Sequence, residues 1–256
     1  MALTNMQSFA AGLLCFSLSQ PVWADSVAEL KQALNKLNGS EPITGVLDVS
    51  FSESRGEGQD KKLKTGAIQS TLSESIEGLD IRYSKYVLNR IAEENRLKMT
   101  DEEADTPVLN GAEILSASSL IPLFSSAQTI LDLIEQGEFV GETSTDYLNQ
   151  SVRVLDFKLP LESFIDDKKI RGYVSKFNGS YKVLINEKGV PIETRMSYSG
   201  KGSAYIFFTM TAESEITSQF EIDGTRLVRV NREVESSSSS TFNDRTYSGK
   251  WQLALQ

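Results

Sequence analysis

Apolar residues recur with two different spacings along this chain, and the switch between them predicts where helices end and strands begin. Val27, Leu30, Ala33, Leu34 and Leu37 fall on one helical face. Ser26 and Glu29 have capping-box spacing, and Gly39 supplies a stop. From Thr44 to Ser84 the period drops to two, with Leu47, Val49 and Phe51 alternating against polar neighbours. Further strands are expected over Ala67–Glu74 and Leu79–Tyr83, beyond a polar connection that carries three lysines. Helical spacing returns in "SKYVLNRIAEENRLK". It appears again after Asn110 and Glu113, where capping logic starts an apolar region through Leu120, Leu123, Phe124, Ile130 and Ile134. Pro122 should divide that region into two short helices near Ile121.

Everything after Gly137 reads as strands. The last is the cleanest, with Tyr247, Gly249, Trp251, Leu253 and Leu255 on one face. The run Ser236–Ser240 with Thr241 reads as a loose hairpin loop. Between Ser203 and Val234 the pattern predicts three antiparallel strands, the second and third joined by a two-residue Asp223-Gly224 turn. That turn would place Ile222 opposite Thr225, Glu221 opposite Arg226, Phe220 opposite Leu227 and Glu215 opposite Arg232, giving two opposite-charge pairs. Val228, Val230 and Val234 would then lie on the far face beside Tyr205 and Phe207. A loop one residue longer would reverse the faces. On the short-turn register the sheet is apolar on both sides, and its second face must be covered by helices or line a cavity.

Composition narrows the chemistry. The chain has no histidine and a single cysteine, Cys15. That cysteine lies in "MALTNMQSFAAGLLCFSLSQPVWADS", which has the form of a secretory signal peptide. Its apolar core, Phe9 to Leu18, is too short to span a bilayer, and cleavage is expected after Ala24. Cys15 follows Leu14, where lipidation expects a small residue. The expected mature chain, residues 25–256, forms one domain without a thiol, a further transmembrane segment or a linker, and its expected location is the periplasm. Without imidazole or thiolate the usual general base, nucleophile and zinc ligands are missing. The net charge of −9 disfavours nucleic acid. The expectation is a non-enzymatic protein with no catalytic residue, metal or cofactor. Asp166-Asp167, the most visible carboxylate pair, reads as a solvated turn beside Lys168-Lys169, and "TDEEAD" lacks the spaced ligands of a calcium loop.

The element order predicts an α+β fold: a curved antiparallel sheet of roughly 8–11 strands forming an open half-barrel, with an N-terminal helix and inserted helices. An exported helix, a few strands, an insertion around "SSLIPLFSSAQTILDLIEQG" and a long meander together resemble the unclosed barrels of the periplasmic lipoprotein carriers of the LolA and LolB type. That resemblance rests on layout and implies a sheet wrapped around an apolar cavity with the inserted helices as lid. The carriers' aromatic-rich concave faces are not matched here, since one of the two tryptophans lies in the signal segment. Two functions follow as expectations. One is a binding protein for a hydrophobic ligand (an acyl chain, lipid or lipoprotein), lined by Tyr205, Phe207, Val228 and Val230 with Leu120, Leu123 and Phe124 as lid. The other is an interaction module for another envelope protein, without a small-molecule ligand.

Overall fold

A computed structural model describes residues 23–58, 61–204, 208–241 and 243–256. Helix α1 (Trp23–Lys36) precedes strands β1 (Ile43–Arg55), β2 (Lys62–Ser75) and β3 (Gly78–Arg82). Four helices follow as an insertion: α2 (Lys85–Thr100), α3 (Pro107–Glu113), α4 (Ala117–Phe124) and α5 (Ser126–Gln136). Then come β4 (Glu138–Tyr147), β5 (Gln150–Leu159), the short α6 (Lys168–Arg171), β6 (Val174–Ile185), β7 (Pro191–Ala204), β8 (Phe208–Asp223), β9 (Arg226–Ser240) and β10 (Asn243–Leu255). All ten strands form one antiparallel, unclosed sheet in the order β3-β2-β1-β10-β9-β8-β7-β6-β5-β4. This is the α+β open half-barrel that the layout predicts. The first strand of the chain lies beside the last, with Leu47 opposite Leu253 and Val49 opposite Trp251.

One face of the sheet carries the helices, and two apolar clusters fill the space between. The first joins Leu30 and Leu34 of α1 and Ile130 and Ile134 of α5 to Leu155, Phe157, Tyr181 and Val183 on β5 and β6. The second joins Leu120, Leu123 and Phe124 of α4 to Leu47, Val49, Ile68, Leu72 and Trp251. Alternation along each strand puts these residues on the helix side, because successive side chains point to opposite faces.

Local signals are read correctly where nothing distant competes for them. Helix α2 forms where helical spacing returns, with Ser84 as a cap that the spacing does not name, and β10 keeps the predicted face through Leu255. Tertiary contacts overrule others. The Ser26–Glu29 capping box does not form, because α1 begins earlier and both side chains serve Arg153. The Arg153 guanidinium donates to Ser26 Oγ at 2.9 Å and to Glu29 Oε2 at 2.6 Å, pinning α1 to β5. Asn110 starts no helix either. It sits inside α3, which opens with Pro107 in its first turn, and its amide donates to the Thr65 carbonyl of β2. The break in the apolar helical region falls at Ser125, not at Ile121. Pro122 is accommodated within α4.

The region after Pro191 departs most from the pattern. The expected strand from Ser203 to Ala212 is instead the end of β7 and the start of β8, with Ala204 opposite Phe208. Glu213 and Ser214 lie inside the 16-residue β8, so the segment from Ser203 to Val234 does not divide there into two strands. The serine run is not a loop. Ser236–Ser240 pairs with β8 on one side and β10 on the other, because backbone ladders are indifferent to weak strand propensity once neighbours exist on both edges.

The β8–β9 hairpin does have a two-residue loop, but its central residues are Gly224 and Thr225. Asp223 therefore lies opposite Arg226 and Ile222 opposite Leu227. Gly224 has φ +56°, and no other residue of the turn has positive φ, as expected where glycine occupies the first central position of a type II′ turn. The segment leaving α1 holds this placement. Thr225 N–H donates to Glu41, Gly39 N–H to the Thr225 carbonyl, and Leu227 N–H to the Leu37 carbonyl. A bulge follows: Phe220 lies opposite Arg229 and Gln219 opposite Asn231, leaving Val230 as the extra residue. Beyond it the faces exchange. Val234 lies opposite Ile216 and out of the alternation that would have put it on one face with Val228, and Glu215 faces Glu235 instead of Arg232.

Candidate functional site

The helices cover only part of their face of the sheet. Beyond α4 and α5 the same face continues as a floor of half-buried residues: Phe177 on β6, Met196 and Tyr198 on β7, Ile216 on β8, Arg232 on β9 and Tyr247 on β10. The register aligns them. Tyr181 is opposite Met196, Met196 opposite Ile216, Ile216 opposite Val234, and Arg232 is flanked by Ser218 and Trp251.

Aromatic rings edge this floor on both sides. Phe164 lies 5.3 Å from Phe177 and 5.0 Å from Tyr198, centroid to centroid, and Phe51 stacks on Tyr247 at 5.9 Å. Two of the rings lie down on the sheet over glycines. A Cβ on Gly66 would fall 2.0 Å from the Phe51 ring, and one on Gly249 would fall 2.6 Å from the Tyr247 hydroxyl oxygen. Between the two aromatic edges the floor is made of small groups, Gly200, Ala212, Ser214 and Ser236. The result is a shallow trough, aromatic at its rims and open to the solvent.

Its electrostatics are unbalanced. The carboxylate on the floor, Glu53, is already engaged: Arg55 donates to it, and Arg245 approaches to 2.6 Å. Burial raises its pKa, but the hydrogen bonds from Arg55 and Arg245 outweigh that and hold it below the ordinary 4.5. A carboxyl with a depressed native pKa stabilises the fold above its unfolded pKa and loses that contribution as pH falls through the native value. Wild-type stability should therefore decline below about pH 4.5, and Glu53→Gln should flatten that acid limb in denaturant titrations at stepped pH. An unchanged acid limb would remove Glu53 from the account.

Arg229 and Arg232 have no such partner. Among the described residues neither guanidinium has a carboxylate at ion-pair distance. Arg229 Nε is buried without an acceptor, and its Cζ lies 5.9 Å from the Phe220 centroid. Burial pulls the Arg229 pKa down to about 10, with the nearby charge of Arg232 adding to the effect, and burial lowers Arg232 as well. Trp251 Nε1, on the residue directly opposite Arg232, is likewise buried with no acceptor. Arg226 is different: its two Nη atoms reach the Glu74 carboxylate, the Glu41 carbonyl and the Phe124 carbonyl.

The residues expected to line a ligand site are distributed unevenly. Tyr205 and Phe207 lie outside the described residues. Leu120, Leu123, Phe124 and Val228 are packed together in the second cluster with 0–2% exposure, so an occupant there would have to displace them. Val230 is the half-buried bulge residue. Arg229, Arg232, Tyr198 and Phe177 were not anticipated. The sequence signal for the arginines was present in "RLVRVNREV", where cations interrupt an apolar strand, but the inferred pairing of Arg232 with Glu215 neutralised it. Asp167 caps α6 through the Lys169 and Ile170 N–H groups, and Asp166 is exposed, as a solvated turn requires. No group of three or more His, Cys, Asp or Glu side chains that could hold a metal ion occurs among the described residues. Nor is any single helix among them long and apolar enough to cross a membrane.

The geometry defines an unclosed antiparallel half-barrel with an aromatic-rimmed trough on its helix side. No protein-family model matches the chain, and no curated protein matches it. A solved structure with some likeness is the crystal structure of MucB in complex with MucA(peri), 6% identical over 90% of this chain and 93% of that one, at a TM-score of 0.23. A likeness at that level carries no argument about this chain.

Proposed function

We propose that the protein is a non-enzymatic binding protein of the bacterial periplasm that holds the hydrophobic part of an amphiphile, such as an acyl chain, along the trough. The supporting observation is the half-buried row Phe177, Tyr198, Met196, Ile216 and Tyr247, which the helices leave uncovered on the face they otherwise fill. Apolar surface left open on an otherwise filled face is the usual mark of a binding site. The periplasmic location is carried by the signal-peptide form of the first 24 residues.

An interaction module is the second reading, supported by the free outer edge of β4. That edge is blunted by a bulge between Phe139 and Gly141 and by the charges of Glu138, Glu142 and Asp146, devices that discourage strand addition. The trough is therefore favoured.

Protein released by osmotic shock, beginning at Asp25, would be delipidated and titrated with cis-parinaric acid. Saturable fluorescence enhancement is expected, weakened about tenfold or more by Ile216→Asp, which places a carboxylate in the apolar floor. No enhancement with the folded wild-type protein would exclude the ligand reading and leave the interaction module.

A further inference from the structure

We propose that Arg229, Arg232 and the Trp251 indole form a subsite for the oxyanion head group of that amphiphile, a carboxylate or phosphate. The inference rests on the trough reading and assigns its polar end. A partly buried cation without a partner costs free energy, and Arg229 and Arg232 are both half-buried on one strand, with Arg229 Nε buried outright. Here two guanidiniums three residues apart are brought to the same face by the Val230 bulge, and an indole N–H without an acceptor stands directly opposite one of them.

The surroundings supply no internal counter-ion. The helix over this part of β9, α4, contains no charged residue, and α5 carries only Asp132 and Glu135, both exposed. Across the sheet Arg232 meets Ser218 and Trp251, and Arg229 meets Phe220. The acids nearest in role are committed elsewhere: Glu53 to Arg55 and Arg245, Glu74 to Arg226 and Glu29 to Arg153. Burial lowers both arginine pKa values, and the charge of Arg232 lowers that of Arg229 further; an incoming oxyanion would oppose both shifts. Arg presents a planar fork that matches the oxygens of a carboxylate or phosphate. The apolar chain would then run from this point over Ile216 and Met196 toward Tyr198.

Oleate, oleyl phosphate and oleyl alcohol share a tail and separate head from chain. With delipidated wild-type protein, one or both anions should bind about 10- to 100-fold more tightly than the alcohol, the range for hydrogen bonds to a charged group in a protected site. Whichever anion gains the larger factor identifies the head. Arg232→Met and Arg229→Met should each remove most of that factor and leave oleyl alcohol binding unchanged, and both should melt no lower than wild type in the absence of ligand. Equal binding of all three amphiphiles to wild type would overturn the oxyanion subsite and leave the trough standing. Failure of all three to bind would remove the trough, and the subsite with it. Should a methionine variant fail to fold, the comparison of heads on wild type still decides.

Discussion

Arg226→Met should cost about 3–5 kcal/mol of unfolding free energy, the range for removing one partner of a buried ion pair. Arg226 is the best-connected cation of the sheet. One Nη donates to the Glu41 carbonyl at 2.8 Å and to the Glu74 carboxylate, and the other donates to the Phe124 carbonyl at 3.0 Å. That last bond satisfies the final residue of α4, where carbonyls lack helical partners and the helix dipole favours a cation. Methionine would fill much of the volume but strand the Glu74 carboxylate and two carbonyls. The measurement is equilibrium urea denaturation, read as a shift of midpoint at constant slope. It also discriminates between registers. Had Arg226 paired with Glu221 on the surface, its removal would cost about 0–1 kcal/mol, the range for an exposed pair. A loss that small would refute the observed pairing. Arg226 and Arg232 thus give opposite expectations from the same strand, a large loss for the ion-paired cation and none for the unpaired one.

Val228→Asp should be comparably damaging. Val228 is fully buried among Leu47, Leu120, Leu123 and Leu253. An aspartate there must either ionise without a partner or remain protonated with its pKa driven upward, and either route costs several kcal/mol. Thermal unfolding should shift far down at pH 7 and recover partly toward pH 5, because protonation removes the buried charge. Val230→Asp, at the half-buried bulge, is the control and should be much milder. If Val228→Asp were tolerated as well as Val230→Asp, water would reach both valines, and the packed cluster would have to be an open cavity.

Much of the architecture is legible in the chain because it depends on short-range periodicity. The face of α1 that buries Leu30 and Leu34, the helical spacing of α2 and the alternation from Gly249 to Leu253 each follow from the side chains within a few residues. So does the presence of a tight turn near Gly224. The candidate site depends on something periodicity cannot carry. A pattern of two records which residues share a face only while the count is unbroken, and one extra residue at Val230 reverses it. Opposite-charge pairing of Glu215 with Arg232 is a sensible local inference, yet contacts from Leu37, Gly39 and Glu41 hold the turn one residue further on. From that displacement and the bulge come the inward position of Arg232, the burial of Arg226 and the approach of Arg229 to Phe220. The serine run shows the same division of authority. Its composition says loop, but two neighbouring strands supply the hydrogen bonds that make it sheet. Composition and spacing determined the class of fold and removed imidazole chemistry, leaving a single thiol, Cys15, in the whole chain. Which cations are paired and which are left facing the trough was decided only when distant strands met, because a counter-ion is a matter of position in space and not of distance along the chain.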